Sequence, residues 1–176
     1  MGRPWIAMFS QTGSEIVKLS EKVNRWPDVI IVNERNVERK IDSRLQNKKV
    51  VFTSNRPSVS ELVNIFQWFE DPLITLHGWL RIIPPEVCER YNIYNGHPGL
   101  ITKYPELKGK DPQIRAIENN YSTAGCVLHE VTAGVDEGTI ISEREFIIDK
   151  LHEREIFRIF SKTSLELWVN FLKGKV

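Results

Sequence analysis

Trp5-Ile-Ala-Met-Phe9-Ser10-Gln-Thr-Gly13-Ser14-Glu15-Ile16-Val-Lys-Leu19 is the stretch that decides the fold. Five apolar residues in a row, closed by polar and turn-forming ones, are the pattern of a strand buried on both faces; a half-exposed strand would alternate. The period then changes. Ile16, Leu19 and Val23 recur at spacings of three and four, and Ser14 stands ahead of them as a potential N-cap, so residues 14–25 are expected to be helical. A buried strand leading directly into an amphipathic helix is the opening of a βαβ unit, and hence of a parallel sheet.

The same alternation continues outward. Residues 29–32, Val50–Thr53 and Leu73–Leu76 read as further buried strands. The charged segment 36–47 is expected to be a short solvent-facing helix between the second and third. Leu62, Ile65, Phe66 and Phe69 form one face of a helix starting near Pro57 and Ser58 and closed by Asp71 and Pro72. Pro84 and Pro85 open a short helix through Tyr91. Residues 92–95 form a fifth strand leading into Gly96-His97-Pro98-Gly99. A glycine- and proline-rich loop reaches Lys110, and Asp111-Pro112 caps a helix carrying Ile114 and Ile117. Residues 126–131 and 139–148 bracket a turn at Asp136-Glu137-Gly138 and read as a hairpin-like pair. Ile156, Ile159, Phe160, Leu165, Trp168, Val169 and Leu172 give a long C-terminal helix, with Gly174 suited to its C′ position. The expected fold is α/β: a doubly wound, mostly parallel seven-stranded sheet flanked by helices, Rossmann-like, in one domain over residues 1–176. Ligands of such sheets sit at the carboxyl ends of strands, near the reversal in strand order.

Composition narrows the function. Across 176 residues, 24 Lys and Arg nearly balance 23 Asp and Glu, leaving +1, too little positive potential to favour nucleic acid as a partner. No apolar run approaches the roughly 20 residues needed to span a bilayer, so no membrane partner is expected. Cys88 and Cys126 are far apart, which excludes a disulfide scaffold or a CxxC zinc site and fits a reducing, cytoplasmic compartment.

Two groups of residues carry candidate chemistry. The loop 10–14 feeds a helix N-terminus, where free N–H groups and the helix dipole attract an anion. It has neither a Walker lysine nor a GxGxxG fingerprint, so a phosphate site and a plain capped helix start both remain open. The second group is Asn95 and His97 near the end of the fifth strand, with Asp136 at the later turn. An amide donor, an imidazole and a carboxylate together suit acyl transfer without a covalent intermediate. His77, His97, His129 and Asp136 lack the spacing of a metal site, so no metal is expected, and Cys126, inside an apolar strand, is a poor nucleophile.

The run Asn95-Gly-His97-Pro98-Gly-Leu100-Ile-Thr-Lys103-Tyr104-Pro105, followed by Val131-Thr132-Ala-Gly-Val-Asp136-Glu-Gly138, resembles the folate-dependent formyltransferases, nearest to the glycinamide ribonucleotide (phosphoribosylglycinamide) branch. Leu76-His-Gly78-Trp-Leu80-Arg81-Ile82-Ile83-Pro is similar to the segment that wraps the pterin in that family. The resemblance implies a cosubstrate, 10-formyltetrahydrofolate, a small amine acceptor, and no metal. It assigns Asn95, His97 and Asp136 as the catalytic trio, with the asparagine and histidine stabilising the oxyanion and the aspartate orienting the histidine. It assigns the folate to Leu80, Arg81, Ile82, Ile83, Val131, Thr132, Ala133, Gly134 and Val135, and the substrate phosphate to Gly13, Ser14 and Glu15. Three departures bear on the acceptor: Gly99 and Thr102 replace a serine and a proline, Glu15 stands where the glycinamide enzymes carry asparagine, and Gly109-Lys-Asp-Pro112 is closer to methionyl-tRNA and sugar formyltransferases. Purine-type formyl transfer by a monomer or homodimer is therefore the expectation. A formyltetrahydrofolate hydrolase, a sugar-nucleotide amine formyltransferase and a non-catalytic folate-binding protein are the alternatives.

Overall fold

A computed structural model describes residues 2–33 and 40–176. Among these residues seven strands form one sheet: β1 (Trp5–Phe9), β2 (Val29–Asn33), β3 (Val50–Thr53), β4 (Leu73–Leu76), β5 (Ile93–His97), β6 (Thr123–Glu130) and β7 (Ile140–Ile147). Their spatial order is β3-β2-β1-β4-β5-β6-β7. The first five run parallel, while β6 pairs antiparallel with β5 and β7 antiparallel with β6. The order reverses between β1 and β4, and that is the crevice in which a doubly wound sheet binds its ligands.

The helices are α1 (Ser14–Val23), α2 (Val59–Phe66), α3 (Pro85–Arg90), α4 (Pro112–Glu118) and α5 (Glu153–Leu172). β1 is buried at all five positions, as its continuous apolar run requires. Its residues split by alternation: Trp5, Ala7 and Phe9 join the core under α1 and α5, and Ile6 and Met8 join the one under α2 and α3. A third, smaller cluster of Ile101, Leu107, Ala116 and Val127 lets the loop after β5 and helix α4 cover β6.

The structure corrects several sequence expectations. Residues 36–39 of the expected helix 36–47 lie outside the described residues; the remainder holds one 3₁₀ turn, Ser43–Leu45. α1 is capped by Gly13 rather than Ser14: the chain needs a left-handed residue there (φ 74°), and a Cβ would stand 2.6 Å from Leu45 Cδ1, so glycine fits. α2 ends at Phe66, five residues before the left-handed Asp71, although its capping box of Ser58 and Glu61 lies where the sequence puts the start. β5 extends to His97, so the candidate residues lie within the strand and not beyond it. The tight turn expected at 136–138 is a broader loop of residues 131–139 between β6 and β7.

Candidate active site

Strand alternation builds the first part of the site. Asn95 and His97, two apart on β5, project from one face, and the antiparallel register puts His129 of β6 directly opposite Asn95. A register irregularity between Leu128 and His129 adjoins this point, a common device for re-aiming a side chain. Gly96 faces the other way, where a Cβ would lie 2.7 Å from Trp168 Nε1, so α5 packs this close because position 96 has no side chain.

The loop 131–139 returns across the face and brings Asp136, in a left-handed conformation (φ 52°), between the two imidazoles. Asp136 Oδ2 is 3.3 Å from His97 Nδ1, and Oδ1 is 3.2 Å from His129 Nε2. The Gly109 N–H donates to Oδ2 at 2.8 Å, tying the loop after β5 to the same carboxylate. Asn95 Nδ2 lies 3.3 Å from His129 Nε2.

Two backbone carbonyls fix the protons of the imidazoles. The Leu107 carbonyl, 2.9 Å from His97 Nε2, can only accept, so that nitrogen carries a proton and Nδ1 is the one that titrates. The Glu130 carbonyl, 2.7 Å from His129 Nδ1, fixes that proton in the same way and leaves Nε2 as an acceptor for the Asn95 amide. His97 Nδ1 and His129 Nε2 therefore face one carboxylate, and a proton taken up by His97 falls between its imidazole and Asp136. Burial pushes His97 below its ordinary value of 6.5, against the opposing pull of Asp136 and the Leu107 carbonyl. Burial would raise Asp136, but the His129 ring beside it, the His97 ring and the Gly109 N–H outweigh it and hold the carboxyl low. At neutral pH the cluster is thus an anion beside an unprotonated His97 Nδ1, ready to take up a proton.

These side chains open into a cavity of about 530 Å³ that also reaches the crevice between β1 and β4. Every residue named from the sequence lines it except Ala133: Gly13, Ser14 and Glu15 at one end, Leu80, Arg81, Ile82 and Ile83 beside them, and Val131, Thr132, Gly134 and Val135 opposite. Ile82, Val135 and Leu80 are 71%, 49% and 41% exposed, an apolar rim with nothing packed on it. The Arg81 guanidinium turns to the Asn55 carbonyl and side chain.

At the α1 end, Glu15 bends inward. Its Oε1 is 2.8 Å from His77 Nδ1, and its Oε2 accepts from Ser164 Oγ at 2.8 Å. His77 Nε2 in turn meets Thr75 Oγ1 at 2.9 Å, and the same hydroxyl accepts from Trp5 Nε1 at 2.8 Å. Burial works against ionisation of Glu15, yet His77, Ser164 and Lys18 together keep its carboxyl below the usual value. The Ser14 N–H is already bonded to Thr12 Oγ1. Burial drives the Cys126 thiol far up and leaves it inert.

Sequence reasoning missed His129 in this cluster, and it missed His77, Ser161, Ser164 and Phe157 along the cavity wall. The signal for His129 was present: a histidine in an apolar strand is buried and must find polar partners.

Residues 10–159 match the sequence profile of the family described as Formyl transferase. The chain is 30% identical over 95 residues to methionyl-tRNA formyltransferase of Fervidobacterium nodosum, covering 53% of this chain and 30% of that protein. It is 34% identical over 83 residues to phosphoribosylglycinamide formyltransferase of Bacillus subtilis, covering 46% and 41%. The matches thus span well under half the length of either relative. In fold it resembles phosphoribosylglycinamide formyltransferase of Anaplasma phagocytophilum, with a TM-score of 0.85 at 20% identity over 98% of this chain and 86% of that one.

Proposed function

The chain belongs to the formyl transferase family, and from that premise we propose that it transfers the formyl group of 10-formyltetrahydrofolate to the amine of a small phosphorylated acceptor. The observation that carries this reading is the junction, in one cavity, of the Asn95–His129–Asp136–His97 cluster with an uncovered apolar rim. Leu80, Ile82 and Val135 offer the flat apolar surface a pterin needs, and the chain around them offers backbone donors and acceptors. When bound there, the folate supplies the formyl carbon.

The chain's own groups then divide the work. One hydrogen of the Asn95 amide is held toward His129 Nε2, which leaves the second to donate to the formyl oxygen as negative charge gathers on it. Asp136, flanked by the two imidazoles, takes the proton that the attacking amine must lose. His97 serves the cluster as a proton holder, because its Nε2 is committed to the Leu107 carbonyl; this departs from the oxyanion-donor role that the resemblance implies.

The test is consumption of 10-formyltetrahydrofolate with and without a panel of phosphorylated amines, wild type against Asn95→Ala. Acceptor-dependent turnover that falls about 100-fold in the variant supports the proposal. Equal consumption with and without every amine would overturn it in favour of a hydrolase, and binding without turnover would reduce the protein to a folate carrier.

A further inference from the structure

The α1 N-terminus is poorly suited to a phosphate. Its Ser14 N–H is satisfied internally, and the ionised Glu15 carboxylate, 31% exposed, lines the same end of the cavity. A phosphate seated there would meet a like charge in a partly buried setting.

Next to it lies a different kind of surface. A cleft between α1 and α5 is lined by Lys18, Arg154, Arg158 and Lys162, with no carboxylate in its walls among the described residues. All four cations are exposed, and among the described residues none has an ion pair or hydrogen bond, although Arg3, Arg25, Arg44, Lys103 and Arg144 are all paired. Arg154, Arg158 and Lys162 recur every four residues along α5, where like charges repel unless an anion lies between them. In a chain of net charge +1 this is a local concentration and not a general bias. The cleft is continuous with the catalytic cavity, since Phe157 and Ser161 line both.

We propose that the acceptor's anionic group is a diphosphate held in this α1–α5 cleft by Lys18, Arg154, Arg158 and Lys162, with its amine reaching the Asn95 cluster past Phe157 and Ser161. The span from residue 154 to 162 on a helix is about 12 Å, more than one phosphate covers and within reach of a diphosphate with its ester groups. Glu15 then acts as a specificity determinant that excludes a simple phosphate monoester from the α1 loop. This placement rests on the formyl-transfer reading for the identity of the amine, and on the cleft alone for the anion.

The experiment titrates inorganic pyrophosphate and inorganic phosphate calorimetrically into the wild type, an Arg158→Ser/Lys162→Ser double variant and Glu15→Asn. Pyrophosphate is expected to bind the wild type at least 10-fold tighter than phosphate, with an affinity that falls as salt rises. The double variant loses 10-fold or more, Arg158→Lys retains most of it, and Glu15→Asn leaves pyrophosphate binding undiminished while phosphate binding rises. Unchanged pyrophosphate affinity in the double variant overturns the proposal, as does tighter binding of a single-stranded oligonucleotide than of pyrophosphate. A folate-induced thermal shift measured on the wild type in parallel keeps the two readings apart: its absence refutes formyl transfer without touching the cleft.

Discussion

Replacing Asp136 by asparagine tests the cluster with the least disturbance. Asn has the same shape, and its carbonyl oxygen can still accept the Gly109 N–H now held at 2.8 Å, so the loop 131–139 keeps its anchor. What disappears is the charge 3.3 Å from His97 Nδ1 and 3.2 Å from His129 Nε2. At an effective dielectric constant near 20, a full charge pair at 3.3 Å is worth about 5 kcal/mol. If half the proton charge has arrived in the transition state, roughly 2.5 kcal/mol is lost, which is about 70-fold in rate. Loss of the proton acceptor itself acts in the same direction, so kcat should fall by about 100-fold or more with little change in KM for the folate. The assay is steady-state consumption of 10-formyltetrahydrofolate with the amine that the acceptor panel identifies, alongside a melting curve. A variant that melts like the wild type and keeps kcat within about fivefold would refute the role of the carboxylate. Asp136→Ala should add a loss of stability, because it also releases Gly109.

Other consequences are open to measurement. Saturation at about 100 times Kd with a folate analogue should stabilise the protein by about 2.7 kcal/mol, and Ile82→Asp, at a 71% exposed position, should abolish that shift without altering the melting of the free protein. His97 is held below 6.5, so the unfolded chain takes up its proton first: its contribution to stability is complete above pH 6.5 and is lost as pH falls through the lower native value, with the acid limb of kcat also below 6.5. Chemical denaturation and rate profiles from pH 4 to 8 check both, and an acid limb above 6.5 would contradict the burial argument. Gly96→Ala should cost about 1–3 kcal/mol, because its Cβ would press on Trp168 Nε1 at 2.7 Å; an unchanged melting temperature would show that α5 can move away.

The inner sheet was legible because β1, β2 and β4 are buried on both faces and so read as unbroken apolar runs. β3 falls on the residues the sequence indicates but is not the buried strand expected: it lies at the sheet edge, with Val50 and Val51 partly buried and Phe52 60% exposed. Boundaries failed where tertiary contacts outweigh local signals. Asn95-Gly96 reads as a turn dipeptide, yet the pair stays in β5 because β6 pairs with it and α5 needs the bare backbone at Gly96. Asp136-Glu137-Gly138 likewise has the chemistry of a tight hairpin turn, but the aspartate's partners lie on the sheet face, and the loop widens to reach them. The gathering of Asn95, His97 and Asp136 could be anticipated from their chemistry. The burial of His129 could be anticipated too, but its place beside Asn95 follows from register across β5 and β6, which no local pattern records.

The two halves of the cavity arise from different rules of sheet geometry, and this explains why one was easier to locate than the other. The crevice between β1 and β4 is where the strand order reverses, and any doubly wound sheet opens there. The proton-handling cluster instead sits on the bodies of β5 and β6 and depends on β6 being antiparallel. A parallel β6 would carry its following loop away beyond the strand ends. Because β6 runs back along β5, its loop emerges beside the face that bears Asn95 and His97, and it needs only to fold over for Asp136 to reach both histidines. The departure from a purely parallel sheet at its last two strands is therefore what joins a general ligand crevice to a specific acid–base site.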